Sequence, residues 1–179
     1  MIQKLKSSNY VCQNELGEVI LKIINVSDNT VLKSVRTEIR GVNNIQDYCK
    51  KNSILGVDKV SYRTKENAVD SAGREMTPIN IAKYELRCCY QTETELEVEN
   101  ENVQNLHTYW ATTKKIFRYM NRISFVLEGV PLKLELSVVK SNKEPYENIA
   151  SSGVFSSNET YEIEIELLGA GDVHTGKQI

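Results

Sequence analysis

Apolar and polar residues alternate one for one along several stretches of this chain, and no other feature narrows its fold as much. In residues 161–168, Tyr161, Ile163, Ile165 and Leu167 fall on one side and Glu162, Glu164 and Glu166 on the other. Residues 132–139 set Leu132, Leu134, Leu136 and Val138 against Lys133, Glu135 and Ser137. Residues 115–127 set Phe117, Tyr119, Ile123 and Phe125 against Arg118, Met120, Arg122 and Ser124. A period of two is the mark of strands with one buried, apolar face. Upstream, 18–24, 31–40, 59–65 and 81–91 read as further strands, and 44–50 reads as a short helix with Asn44 as its N-cap. A polar loop spans 66–78, and the acidic stretch 93–104 gives no firm element. Short strands joined by turns make a mainly β, antiparallel single domain over 1–179. Alternation leaves both an open sheet or sandwich and a closed barrel available.

Composition excludes several functions. The 179 residues carry a formal charge of −2, too little positive charge for a broad surface that wraps DNA through counterion release. A small basic site facing a phosphate remains open. No apolar run reaches the ~18 residues of a membrane-spanning helix, so neither DNA nor membrane is an expected partner. The four cysteines form no Cys-x-x-Cys pair, which argues against a zinc site or a redox motif and for a reducing compartment. His107 and His174 are the only histidines and both lie in polar, turn-like sequence. Chemistry must rest on carboxylates, lysines and arginines.

Glu162, Glu164 and Glu166 are the first candidates. Alternate strand residues sit roughly 7 Å apart on one face. At an effective dielectric near 20, each adjacent pair repels by roughly 2 kcal/mol, and by a quarter of that in water. Such a row is either a solvated face or an oxygen site for a hard divalent cation, Mg²⁺ or Mn²⁺. Arg36, Arg87, Arg118, Arg122 and Lys133 lie on polar faces of other expected strands, where guanidinium forks suit phosphate oxygens. Each alone is also a plausible solvent-facing residue or cross-strand partner for a glutamate. Glu135 is either a structural partner of Lys133 or a base that orients water.

Three segments carry a resemblance: Phe117–Arg118–Tyr–Met–Asn–Arg122–Ile–Ser124–Phe125, then Leu132–Lys133–Leu–Glu135–Leu–Ser137–Val–Val–Lys140–Ser141, then Tyr161–Glu–Ile–Glu–Ile–Glu166–Leu. In this order they resemble the metal-dependent RNA 5′-triphosphatase domain of mRNA capping enzymes of large DNA viruses, among the triphosphate tunnel metalloenzymes. The resemblance implies an eight-stranded antiparallel β-barrel tunnel with one or two short helices. Glu162, Glu164 and Glu166 would hold Mg²⁺ or Mn²⁺, Glu135 and Glu164 would be catalytic, and Arg118, Arg122 and Lys133 would bind phosphate. Arg36 and Arg87 carry over more weakly to that role.

The implied substrate is triphosphate-ended RNA, and the implied partner is a guanylyltransferase domain or subunit. The implied setting is the cytoplasm or a virion. Two departures stand out. The family's middle lysine in Arg-x-Lys-x-Arg is Met120 here. Its first Glu-x-Glu strand has no counterpart, since Glu15 and Glu18 are three apart, so the chain reads as a barrel lacking its first strand, a fragment of a larger capping enzyme or a degenerate copy. Two other functions stay in view: a non-catalytic β module that binds RNA ends or a partner protein, and a tunnel enzyme acting on free nucleoside or inorganic triphosphate.

Overall fold

The computed structural model describes residues 2–8, 10–14, 16–26, 34–127 and 129–168. In chain order the strands are β1 (Tyr10–Cys12), β2 (Glu18–Asn25), β3 (Arg36–Arg40), β4 (Val60–Asn67), β5 (Ile79–Ile81), β6 (Leu86–Cys88), β7 (Gln91–Leu96), β8 (Lys115–Leu127), β9 (Leu132–Ser141) and β10 (Glu159–Leu167). The α-helices are α1 (Ile2–Lys6), α2 (Val42–Lys51), α3 (Glu101–Tyr109) and α4 (Ile149–Ser152). Eight strands form one antiparallel sheet in the order β10-β9-β8-β2-β3-β4-β7, with β1 pairing on β8. The sheet curls into a half-barrel. Among the described residues, β10 and β7 are its two edges and do not pair with each other. The long strand β8 is its spine, carrying β9 along one edge and β1 then β2 along the other.

The two sheet faces differ because the sequence alternates. On the convex face Leu21, Ile23, Val35, Ile39, Tyr62 and Phe117 are buried beneath α2, α3 and α4, which contribute Ile45, Tyr48, Val103, Leu106 and Ile149. Burying each large side chain of this set contributes about 1.5–3 kcal/mol. This cover does not extend to β10. Tyr161, Ile163, Ile165 and Leu167, the apolar side of the acidic strand, are more than half exposed. The concave face is charged except for a small apolar floor of Ile20, Met120 and Val139.

Several local expectations change. The strand expected over 81–91 is broken: a 3₁₀ turn at Ala82–Tyr84 ends at Glu85, whose φ of 51° is left-handed. Only β6 continues, and it pairs with β5 as a separate two-stranded ribbon. Helix α2 starts after Gly41 (φ 89°), and Asn44 lies inside the helix and donates to the Arg40 carbonyl instead of capping. The acidic stretch holds β7 and α3, with Asn100 as the N-cap accepting from the Asn102 N–H. Residues 31–33 of the expected second strand, Glu15 and His174 lie outside the described residues.

Lys115, at the start of β8, is fully buried and donates to the carbonyls of Trp110 and Thr113, fixing the chain that leaves α3. Burial lowers its pKa to about 8, against a smaller opposing pull from Glu147. The unfolded lysine titrates near 10.4, so between about pH 8 and 10 the unfolded chain holds more protons. Stability should therefore rise with pH across that window, by of order 2 kcal/mol. Urea unfolding at pH 7.5, 8.5 and 9.5 should show the rise, and Lys115→Met should flatten it.

Candidate functional site

Strand register builds the site on the concave face. Glu164 of β10 stands opposite Glu135 of β9, and Glu135 opposite Ser124 of β8. The neighbouring rung runs Glu162, Ser137, Arg122, Glu18. Like charges directly opposed, such as Glu135 and Glu164, destabilise a sheet unless something neutralises them. Arg122 does so. Its guanidinium ion-pairs with Glu135, donates to Glu164 at 2.6 Å, and is held by a bond from its Nε to Ser137 Oγ at 2.9 Å. Lys133 Nζ bridges Glu135 at 2.9 Å and Glu166 at 2.7 Å. Burial alone would lower the pKa of Lys133, but its bonds to Glu166 and Glu135 outweigh that and raise it.

The acidic row is split by these partners. One amino nitrogen of Arg118 reaches both oxygens of Glu162, at 2.8 and 2.7 Å. Glu162 is thus drawn toward Arg118, whereas Glu135, Glu164 and Glu166 bring carboxylate oxygens within 4.8 Å of one another. Of the expected set of Glu162, Glu164 and Glu166, the last two cluster with Glu135, while Glu162 is turned to Arg118. Three clustered carboxylates fit a hard divalent cation chemically. Arg122 and Lys133 occupy only one oxygen each of Glu164 and Glu166, so each keeps an oxygen without a partner among the described residues.

Opposite this acidic wall, β3 and β4 form a mainly basic one, with Glu93 of β7 beside it. Arg36 and Arg63 face each other in register across β3 and β4. Arg63 and Lys65 share Glu93, at 3.7 and 3.1 Å; Arg36 has no ion-pair partner among the described residues. Buried Glu38 binds Lys22 at 3.0 Å and Arg40 at 2.7 Å, and Arg40 also reaches Glu18 at 2.6 Å. Burial would raise the Glu38 pKa, but Lys22, Arg40 and Arg63 together hold it below the usual value. Between the walls lies a polar cavity of about 560 Å³.

Of the residues expected from sequence, Arg36, Arg122, Lys133, Glu135, Glu164 and Glu166 line this cavity. Arg118 and Glu162 share the concave face but pair with each other over the apolar floor. Arg87 lies exposed on the β5–β6 ribbon, outside the main sheet, and does not line the cavity. Sequence reasoning missed Arg63 and Lys65, and the network of Glu18, Lys22, Glu38 and Arg40. Their signal was the same alternation: Arg36, Glu38 and Arg40, or Ser61, Arg63 and Lys65, are spaced by two on strands with opposite apolar faces.

The two arginine pairs differ in burial, which yields a direct test. Arg122→Ala strips a 5%-exposed Glu135 of its main partner and should cost about 3 kcal/mol in urea unfolding. Arg118→Ala breaks a pair whose side chains are each 31% exposed and should cost about 1 kcal/mol or less.

No protein-family model and no curated protein matches this chain. Solved structures do. The RNA triphosphatase domain of a trifunctional mimivirus mRNA capping enzyme superposes with a TM-score of 0.58 at 16% identity, over 89% of this chain and 66% of that one. A monoclinic form of the mimivirus capping enzyme triphosphatase gives 0.58 at 14% identity over 96% of this chain and 75% of that one, and a triclinic form 0.54 at 14% over 90% and 68%. The chain thus spans 66% to 75% of those structures, and at such identity the likeness is one of fold.

Proposed function

We propose that this chain is the phosphate-handling half-barrel of a divalent-metal-dependent RNA 5′-triphosphatase acting in mRNA capping. The observation that carries this reading is the single cavity in which Glu135, Glu164 and Glu166 face Arg36 and Arg63. Neither wall alone would suit a triphosphate, since acids repel it and a purely basic groove would bind it without holding a metal. The fold likeness to mimivirus capping-enzyme triphosphatases adds the class of substrate.

In this mechanism Arg36 and Arg63 grip the triphosphate as charge-assisted donors to its oxygens. Arg122 and Lys133, bonded to the acidic wall, bring positive charge to the transferred phosphoryl group, where negative charge spreads in the transition state. Glu164 and Glu166, with Glu135, would hold Mg²⁺ or Mn²⁺, which supplies Lewis-acid polarisation of the phosphoryl oxygens. Glu135, fixed by Arg122, Lys133 and Ser124, orients the attacking water. That water bonds to the γ-phosphorus as the bond to the bridging oxygen breaks, giving phosphate and diphosphate-ended RNA. Such a product suits a guanylyltransferase, the proposed partner, in the cytoplasm or a virion. Among the described residues no helix is long and apolar enough to cross a membrane.

Met120 supports a second reading. It is buried with Ile20 and Val139 where the resembled family places a lysine, which suits a module that binds triphosphate ends without hydrolysing them. Phosphate release from γ-labelled triphosphate RNA separates the two. Hydrolysis with Mg²⁺ or Mn²⁺, lost in excess chelator and reduced roughly 100-fold by Glu164→Ala, supports the enzyme; metal-independent binding without turnover supports the module. Arg36→Ala and Arg63→Ala should each raise KM about tenfold, the loss of one charge-assisted bond.

A further inference from the structure

We infer that Asn14 is a positioning residue for the acidic wall, a role that rests on the triphosphatase reading. Strands β1 and β2 both pair along the same edge of β8, but the chain between them leaves the ladder. β1 pairs with β8 from Phe125 to Leu127 and β2 from Lys115 to Arg122, so Ile123 and Ser124 between would lose regular partners on that edge. The side chain of Asn14 fills that gap. Its Nδ2 donates to the Arg122 carbonyl at 3.1 Å and its Oδ1 accepts from the Ser124 N–H at 2.9 Å, while the Gln13 N–H reaches the Ser124 carbonyl at 2.9 Å. One amide thus replaces a strand residue's two ladder bonds.

The two residues whose backbone it holds are the two residues of β8 whose side chains hold Glu135: Arg122 through its ion pair and Ser124 through its hydroxyl at 3.4 Å. A shift of the β8 backbone here would swing Arg122, and with it Glu135 and Glu164. Gly17 fixes the other end of the diversion. Its φ is +76°, and a Cβ there would stand 2.2 Å from the Asn121 side-chain oxygen. Misplacing a catalytic group by about 1 Å can cost on the order of 100-fold in rate. The basic wall is untouched by this change, so binding of the triphosphate should survive.

Asn142 provides the control. Its side chain also ties backbone, toward the other end of β8, accepting from the Phe117 N–H and donating to the Glu144 carbonyl of its own loop. Asn14→Ala should lower kcat for triphosphate RNA at least tenfold with KM within about twofold, while Asn142→Ala should lower Tm comparably and leave kcat within twofold. The Arg122 Nε–H signal in ¹H–¹⁵N spectra, held by Ser137, should shift or broaden in Asn14→Ala alone. That spectrum tests the positioning role even if the wild-type chain hydrolyses no triphosphate, a result that would count against the enzymatic reading only. An unmoved Arg122 signal, or equal loss of kcat in the two variants, would overturn the role of Asn14.

Discussion

Arg122 is the tie on which the concave face depends. Two glutamates stand opposite each other on neighbouring strands, and one guanidinium touches both. Without it, Glu135 would be a buried carboxylate held by Lys133 and one long bond from Ser124, facing a second carboxylate. With it, the acids can be packed closely enough to act as one site. The interaction is also directional, because a planar fork fixes both partners where a lysine would fix one point.

The surrounding fold serves that arrangement. The alternating strands place Glu18 and Lys22 of β2, Arg36, Glu38 and Arg40 of β3, Arg118 and Arg122 of β8, Lys133 and Glu135 of β9, and Glu162, Glu164 and Glu166 of β10 on one face, and the convex core beneath the helices holds β2, β3, β4 and β8 in a curl. Curling is what turns a row of acids and a row of bases into opposite walls of one cavity. A flat sheet with the same sequence would spread them across a surface, where water would screen them.

Much of this was legible in the residues. The strands at 115–127, 132–139 and 161–168 lie within a residue or two of their places in the structure, since long alternation admits few other conformations. The acidic strand and its arginine complement were legible for the same reason. What was not legible was partner choice. Glu162, Glu164 and Glu166 look equivalent in sequence, but Arg118 reaches diagonally to the first and leaves the other two to join Glu135, which depends on strand register. The apolar side of β10 read as a buried face and is exposed, because burial depends on whether another layer covers it. Arg87 lies away from the cavity because Glu85 breaks the strand with a left-handed turn that alternation cannot reveal. Helix α3 was hidden by surrounding glutamates, although Asn100, Val103 and Leu106 carried its cap and its buried stripe.

The proposed function requires a metal-binding acidic wall and a phosphate-binding basic wall in one cavity. Crystals grown with Mn²⁺ and tripolyphosphate test it most directly. An anomalous peak among Glu135, Glu164 and Glu166, with phosphate density reaching Arg36 and Arg63, is the predicted result. Manganese held elsewhere, or tripolyphosphate bound outside the cavity, would contradict it.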